Sequence, residues 1–579
     1  MTSVAHLVLA AAAHLAVFLL LRGPLRGGLP LDDWAATFVR LVAIGGFGAS
    51  VIAVATGALR GRRREFLVRD AMAMAALVLP VAFALARGAS RDEAGIVLAV
   101  TLLVRFAPLA IGVTTGAVAD ARVLALIAFA WYAPFASWTL VTSYAQGDQP
   151  HFLLAAEALR RGSLDLTPLY DDGTLFAALS GAPPTPDDLE THALALPAGT
   201  RLPQGYVFPL VLLPGWALAG RLGAEIVAAA IAAVAAGVAF VLMRDVAGDR
   251  PATRVAWLLL VGLAPLATFA THIYPNALGA ALLALAFRLA TTHAARAQGP
   301  ASQGPASQGP RPFLAGLAAG ATFLLTPRDA LTAGLLLLWA LLARRGFAVR
   351  LAAGMGVMSI VASAVDLVTL GVPLPFAGYV AGLFTFAQAK ESALWLRPDL
   401  GLLGMLFDRA FGLAGSAPWV FAGALGVAAL VRAERRATTA LLVGVFGTLA
   451  GLAFYRLWEG GWAPPNRYVV DVLPLWAPFV ASAIAVARSA VERIFVGALV
   501  AWSALATIAF LGVPTWAYSA EESRLAEQLR ALPIDPLEWL PSFHVVGASP
   551  LPGALALAAG VVLLGIVGLR RRIATDASA

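Results

Sequence analysis

The sequence predicts an all-α fold, a polytopic transmembrane helical bundle of about sixteen spans, and three observations predict it. Hydrophobic residues make up 60% of the 579-residue chain and charged residues only 13%, against roughly a quarter charged in soluble domains. Mean hydropathy is +0.82. The apolar residues also come in runs of spanning length, where a soluble core helix shows only a stripe. The net charge of +8 is almost wholly arginine. Those arginines sit in short clusters between apolar runs, as in the cytoplasmic loops of membrane proteins, which argues against nucleic acid as a partner. With no cysteine in the chain, disulfides and thiolate chemistry are excluded.

In order, the spans are read at 4–21, 37–59, 70–87, 95–118, 123–143, 225–243, 255–272, 276–290, 313–327, 329–343, 351–370, 416–431, 437–455, 469–487, 494–513 and 553–569. The first has no small-residue cleavage site behind it and reads as retained. The short pair near 313–343 is expected to pack tightly. Clusters Arg60 to Arg64, Arg244 to Arg254, Arg344 with Arg345, Arg432 to Arg436, Arg488 with Arg493 and Arg570 to Arg572 belong in the cytoplasm. The count closes if 206–222, which carries Pro209 and Pro214, is a re-entrant or juxtamembrane helix on the outer face. Both termini are then cytoplasmic, in a bacterial plasma membrane, and loops 144–205, 371–400, 456–468 and 514–552 face outward. The segment 298–310 repeats Gln-Gly-Pro-Ala-Ser and reads as a disordered linker.

The outer loops hold the candidate chemistry. The first opens Gly147-Asp148-Gln149-Pro150-His151 and continues into an amphipathic helix over Leu153 to Leu164, with Glu157, Arg160 and Arg161. Asp148 before Pro150 suits a helix N-cap, and a cap is also able to carry chemistry. A second cluster is Trp458-Glu459-Gly-Gly-Trp462-Ala-Pro-Pro-Asn466-Arg467-Tyr468. An interfacial aromatic belt accounts for Trp458, and less well for Glu459, Asn466 and Arg467 together. Asp408 and Arg409 stand side by side in an apolar stretch, as either a structural ion pair or a site. Smaller signals are Tyr274-Pro275-Asn276 and Pro327-Arg328-Asp329. Arg105 and Asp366 lie within predicted spans and so face the bundle interior or a cavity. The sequence carries no P-loop, HExxH or GxSxG pattern and no zinc-ligand cluster, leaving ATP-driven transport and metalloprotease chemistry without support.

Taken in order, Gly147-Asp-Gln-Pro-His-Phe-Leu-Leu, Ile273-Tyr-Pro-Asn, Gly404-Met-Leu-Phe-Asp-Arg with Phe411-Gly-Leu, and Gly460-Gly-Trp-Ala-Pro-Pro-Asn-Arg-Tyr resemble the GT-C superfamily of membrane glycosyltransferases. The nearest branch is the protein-mannosyltransferase-like and bacterial lipid-linked-sugar one. The resemblance covers 123–490 as a catalytic core; spans in 1–122 fall outside it, and 491–579 adds C-terminal spans. It implies inverting transfer of a sugar, from a polyprenyl-phosphate donor to an acceptor hydroxyl on the outer face. The acceptor itself (lipid, glycan or protein) stays open. Asp148 is then the base, with His151 orienting it or touching phosphate. Arg328, Arg409 or Arg467 holds the leaving phosphate, and Tyr274, Asp408, Glu459, Trp462, Asn466 and Tyr468 line the donor site. Gln149 stands where many relatives carry a second acid, and Asn276 where Glu is usual, so divalent-metal dependence stays open. Two other readings remain: a transporter or flippase for a lipid-linked substrate, and an inactive scaffold of the same fold.

Overall fold

Helices account for nearly all of the described chain. The computed structural model describes residues 120–296, 310–380 and 398–518 apart from 344 and 456, with 524–529, 537, 540–543 and scattered positions between 92 and 116. The spans expected at 4–21, 37–59, 70–87 and 553–569, together with Arg105, lie outside the described residues. A long helix α1 (Ala121–Thr142) leads into a unit of short elements, α2 (Gln149–Arg160), α3 (Thr167–Asp172), α4 (Thr174–Ser180), α5 (Pro186–His192) and strands β1 (Leu194–Leu196) and β2 (Gly199–Arg201). Then follow α6 (Val207–Ala247), α7 (Pro251–Gly262), α8 (Leu266–Phe269), α9 (Asn276–Arg296), α10 (Arg311–Ala321), α11 (Pro327–Ala343) and α12 (Arg345–Leu370). The rest comprises α13 (Pro398–Phe407), α14 (Leu413–Ser416), α15 (Gly423–Ala433), α16 (Arg435–Leu452), α17 (Leu473–Val486), α18 (Ala490–Gly512) and α19 (Arg524–Leu529).

Among the described residues, four helices are long and apolar enough to cross a membrane: Ala121–Leu140, Val207–Ala247, Arg345–Leu370 and Ala490–Gly512. Shorter apolar helices cover Pro251–Gly262, Asn276–Thr292, Pro398–Phe407, Pro418–Ala433 and Val470–Val486. This is a helical membrane protein, several of whose described apolar helices are shorter than the runs expected for them. The run 255–272 shows why: it stops at Gly262 and resumes as α8, because Pro265 supplies no N–H to continue the ladder. The all-α expectation is corrected at one place. β1 and β2 pair antiparallel, Leu194 opposite Arg201 and Leu196 opposite Gly199, since Pro197, Ala198 and Gly199 favour a turn over a helix.

The segment 206–222 is a separate helical piece, with its boundary at Ala219 and Gly220. There the backbone leaves the helix, and Gly220 takes φ +58°. The piece before the break spans roughly 18 Å, too short to cross about 30 Å of hydrocarbon. The two pieces fold against each other at Gly215 and Gly223. A Cβ on Gly215 would sit 2.3 Å from the Gly223 carbonyl oxygen, and one on Gly223 would sit 1.9 Å from that of Gly215. Elsewhere α12 turns an apolar face outward, with Ile360 72% and Val368 75% exposed. Such a face is stable only against lipid or another protein.

The layout that matters for a site is polarity along the bundle. Helices α9 and α11 begin, and α16 ends, near the 144–205 segment, while their far ends or the connections beyond carry Arg296, Arg345 and Arg435. Helix α17 likewise starts at the site end and runs toward Arg488 and Arg493.

Candidate active site

Asp148 occupies the N-cap position of α2, yet its side chain makes no cap hydrogen bond. Pro150 in the first turn already removes one N–H that would need capping. The carboxylate turns instead into the protein. Oδ2 accepts from Nη2 of Arg467, and Oδ1 lies 2.9 Å from Nε2 of His192. Burial opposes the charged form, but Arg467 and His192 outweigh it and hold the carboxyl well below the usual carboxylate range.

Arg467 is itself fixed three ways. Nη1 donates to the Gly460 carbonyl at 3.0 Å, Nη2 engages Asp148, and the guanidinium lies 4.8 Å over the Tyr274 ring. The Tyr274 hydroxyl donates to the Trp462 carbonyl at 3.1 Å, and Trp462 Nε1 donates to Gln146 Oε1 at 2.6 Å. Between these contacts only glycine fits. At Gly147, φ is +55°, and a Cβ would sit 2.1 Å from the Trp462 carbonyl oxygen. The 144–205 segment and the 456–468 loop are thereby stitched together around one ion pair.

A second arginine stands behind the first. Arg328 Nε donates to Asp471 Oδ2 at 2.5 Å, and its guanidinium lies 5.1 Å over Tyr468. Asn276 Nδ2 donates to the Arg467 carbonyl at 2.7 Å and to Asp471 Oδ1 at 2.9 Å. A glutamate at 276 would set one carboxylate against another, so the amide suits this network. Arg328 Nη2 and Arg467 Nε are both buried without a protein partner. Two guanidinium groups within electrostatic reach of each other, each with an unspent donor, are a setting for an anion. Glu459, 8% exposed, adds negative charge near Tyr455 and Tyr468.

The remaining predicted residues are placed differently. His151 is buried, with Nδ1 2.6 Å from the Tyr170 hydroxyl and its ring stacked on His192 rather than touching Asp148. Burial, and then the charge of His192, push its pKa well down, so it is neutral. Asp408 accepts from the backbone N–H of Ala410, Phe411 and Phe543 at 2.8, 3.0 and 2.7 Å. The Arg409 backbone N–H meets the Pro541 carbonyl at 3.0 Å, so this pair anchors its loop to the segment 540–543. Asn466, at φ +64°, donates to Ser416 Oγ at 2.5 Å. Gln149 does not sit beside Asp148 as a second ligand; it donates to the Tyr518 hydroxyl at 2.6 Å and accepts from the Ile273 N–H at 3.0 Å. Asp366 accepts from the Ala377 N–H at 3.1 Å, closing the turn after α12.

Sequence reasoning missed His192, Asp471, Tyr379 and Tyr455. Tyr379 and Tyr455 both lie within electrostatic reach of Asp148, Arg328 and Arg467. His192 follows Asp148 by 44 positions, and no motif links them. Next to Tyr379 a small open pocket of about 20 Å³ is bordered by Phe323, Leu325, Val365, Asp366, Phe376 and Gln204. Among the described residues no group of three or more His, Asp or Glu is arranged to hold a metal ion.

Fold and site together define a helical membrane protein with a buried carboxylate–guanidinium centre at one end of its bundle. No family model matches the sequence, and no curated protein matches it. Among solved structures it is similar to ArnT from Cupriavidus metallidurans in the apo state, at 16% identity over 67% of this chain and 77% of that one. The TM-score of 0.37 is too low for that likeness to bear on function.

Proposed function

We propose that the protein is a membrane glycosyltransferase that moves a sugar from a polyprenyl-phosphate donor to an acceptor hydroxyl at the extracytoplasmic face, with inversion. The observation that carries this reading is the contact of Asp148 with Arg467, backed by Arg328. It sets an acid beside two cations from distant parts of the chain. Transfer outside the cell has no nucleotide-sugar supply, so the donor must come on a lipid. The exposed apolar face of α12 suits the first units of its chain. The arginines running to the opposite helix ends suit a cytoplasmic side there, and a site facing outward.

The chemistry follows from the charges. At rest Asp148 is bound to Arg467 and is a weak base. A donor phosphate competes for that guanidinium, and as Arg467 and Arg328 turn to it, Asp148 recovers base strength beside the acceptor. The arginines then stabilise negative charge as the phosphate leaves, often the largest catalytic contribution. Asp148 takes the hydroxyl proton, a step typically worth about 10² to 10⁴ in rate.

The test is transfer of labelled sugar from a polyprenyl-phosphate donor to extracted acceptors in proteoliposomes. Asp148→Asn is expected to lower turnover by about 10² to 10⁴ with the fold intact. Wild-type turnover in that variant rules out the base. Counterflow of the lipid-linked substrate without covalent transfer by the native protein rules out the enzyme.

A further inference from the structure

The second partner of Asp148 has no role yet. His192 ends α5, and its ring stacks face to face on His151, with centroids 4.1 Å apart and planes 7° from parallel. His151 is fixed in turn by the Tyr170 hydroxyl at 2.6 Å and by Phe176 at 5.3 Å between ring centroids. At the other end of α5, a capping box between Thr185 and Asp188 fixes the helix start. Helices α2, α3, α4 and α5 thus cooperate to aim one imidazole at one carboxylate oxygen. A nitrogen 2.9 Å from that oxygen is favourable only if it carries a proton, so Nε2 is the donor. Any amide is able to donate there.

We infer that His192 is a positioning residue for the transfer reaction: it holds Oδ1 of Asp148, leaving Oδ2 to Arg467 and the acceptor. The inference rests on the glycosyl-transfer reading of this site. Without that hydrogen bond the carboxylate is free to rotate about its bond to Cβ, and its oxygens lose their fixed direction toward the acceptor.

Two measurements on the full-length protein test this. The first is the kinetics of transfer by the wild type, His192→Gln and His192→Ala, with kcat and KM separated. His192→Gln, which keeps the donor, should hold kcat within about tenfold, while His192→Ala falls further in kcat with KM little changed, by the loss of a charge-assisted hydrogen bond. The second is the NMR spectrum of imidazole-labelled histidines in detergent. The His192 Nε2–H resonance should move upfield in Asp148→Asn, since the carboxylate acceptor is gone. Equal kcat in His192→Ala and His192→Gln overturns the inference, as does a His192 resonance that ignores Asp148→Asn. A wild type without any transfer faults the glycosyl-transfer reading instead, and the NMR spectrum then decides the His192–Asp148 contact alone.

Discussion

Arg467 shows why a single side chain here is hard to replace. It bonds Asp148 and the Gly460 carbonyl through separate nitrogens and stacks on Tyr274, a combination lysine is unable to reproduce. Removing it strands a buried carboxylate, which typically costs about 3–5 kcal/mol. Arg467→Ala should therefore lower the unfolding free energy by about 3 kcal/mol. The double variant with Asp148→Asn should lose clearly less than the sum of the singles, because both remove one interaction. Additive melts would deny that the two groups are coupled. The pH dependence has a definite sign. The Asp148 carboxyl is lowered from an ordinary value of 3.8, so its contribution to stability is complete above that pH and is lost as pH falls through the lower folded value. The gap in melting temperature between the wild type and Asp148→Asn should hold steady from pH 8 to 5 and shrink only below about pH 4.

At the scale of elements, the break in α6 and the burial of α2 matter most. Sequence patterning reads an amphipathic helix from 153 to 164, whereas α2 runs Gln149–Arg160 and is buried on every side from Gln149 to Ala158. Its polar residues from Gln149 to Glu157 are paired rather than solvated. Glu157 accepts from Arg160, Arg161 and the Trp216 indole at 2.7, 2.8 and 2.9 Å, and Trp216 belongs to the short piece of α6 that covers it. Burial raises the Glu157 pKa, yet these donors bring it down to about 2. The cover depends on the close crossing at Gly215 and Gly223. Gly223→Leu should push the pieces apart and cost about 1–3 kcal/mol or more, seen as early melting and loss of a monodisperse peak in size-exclusion chromatography. Unchanged behaviour would mean that the crossing carries no weight.

For the whole molecule, the prediction is sidedness. The chain contains no cysteine, so single cysteines report cleanly. Ala182→Cys, exposed in the loop after α4, should react with an impermeant maleimide added to intact cells. Asp249→Cys, exposed beyond α6, should react only after the membrane is opened. The reverse pattern would put the Asp148 centre in the cytoplasm, where the proposed donor is not presented.

What the sequence by itself determined is what hydropathy and local chemistry encode. These are the membrane class, the helices beginning near 276, 351, 437 and 494, the interruption near 206–222, and the polar loops that carry Asp148 and Arg467. Each depends on neighbours along the chain, so a window of residues suffices to see it. Tertiary structure decided which of those polar groups meet. Arg467 reaches Asp148 across 319 positions and Arg328 reaches Asp471 across 143. Helix crossings and close glycine contacts choose such partners, and neither leaves a local signature. The same holds for Asp408, spent on backbone N–H groups that include one 135 positions away, and for His192, which no motif marks. A buried charge takes whatever packing brings within hydrogen-bond reach, and packing is a property of the whole fold.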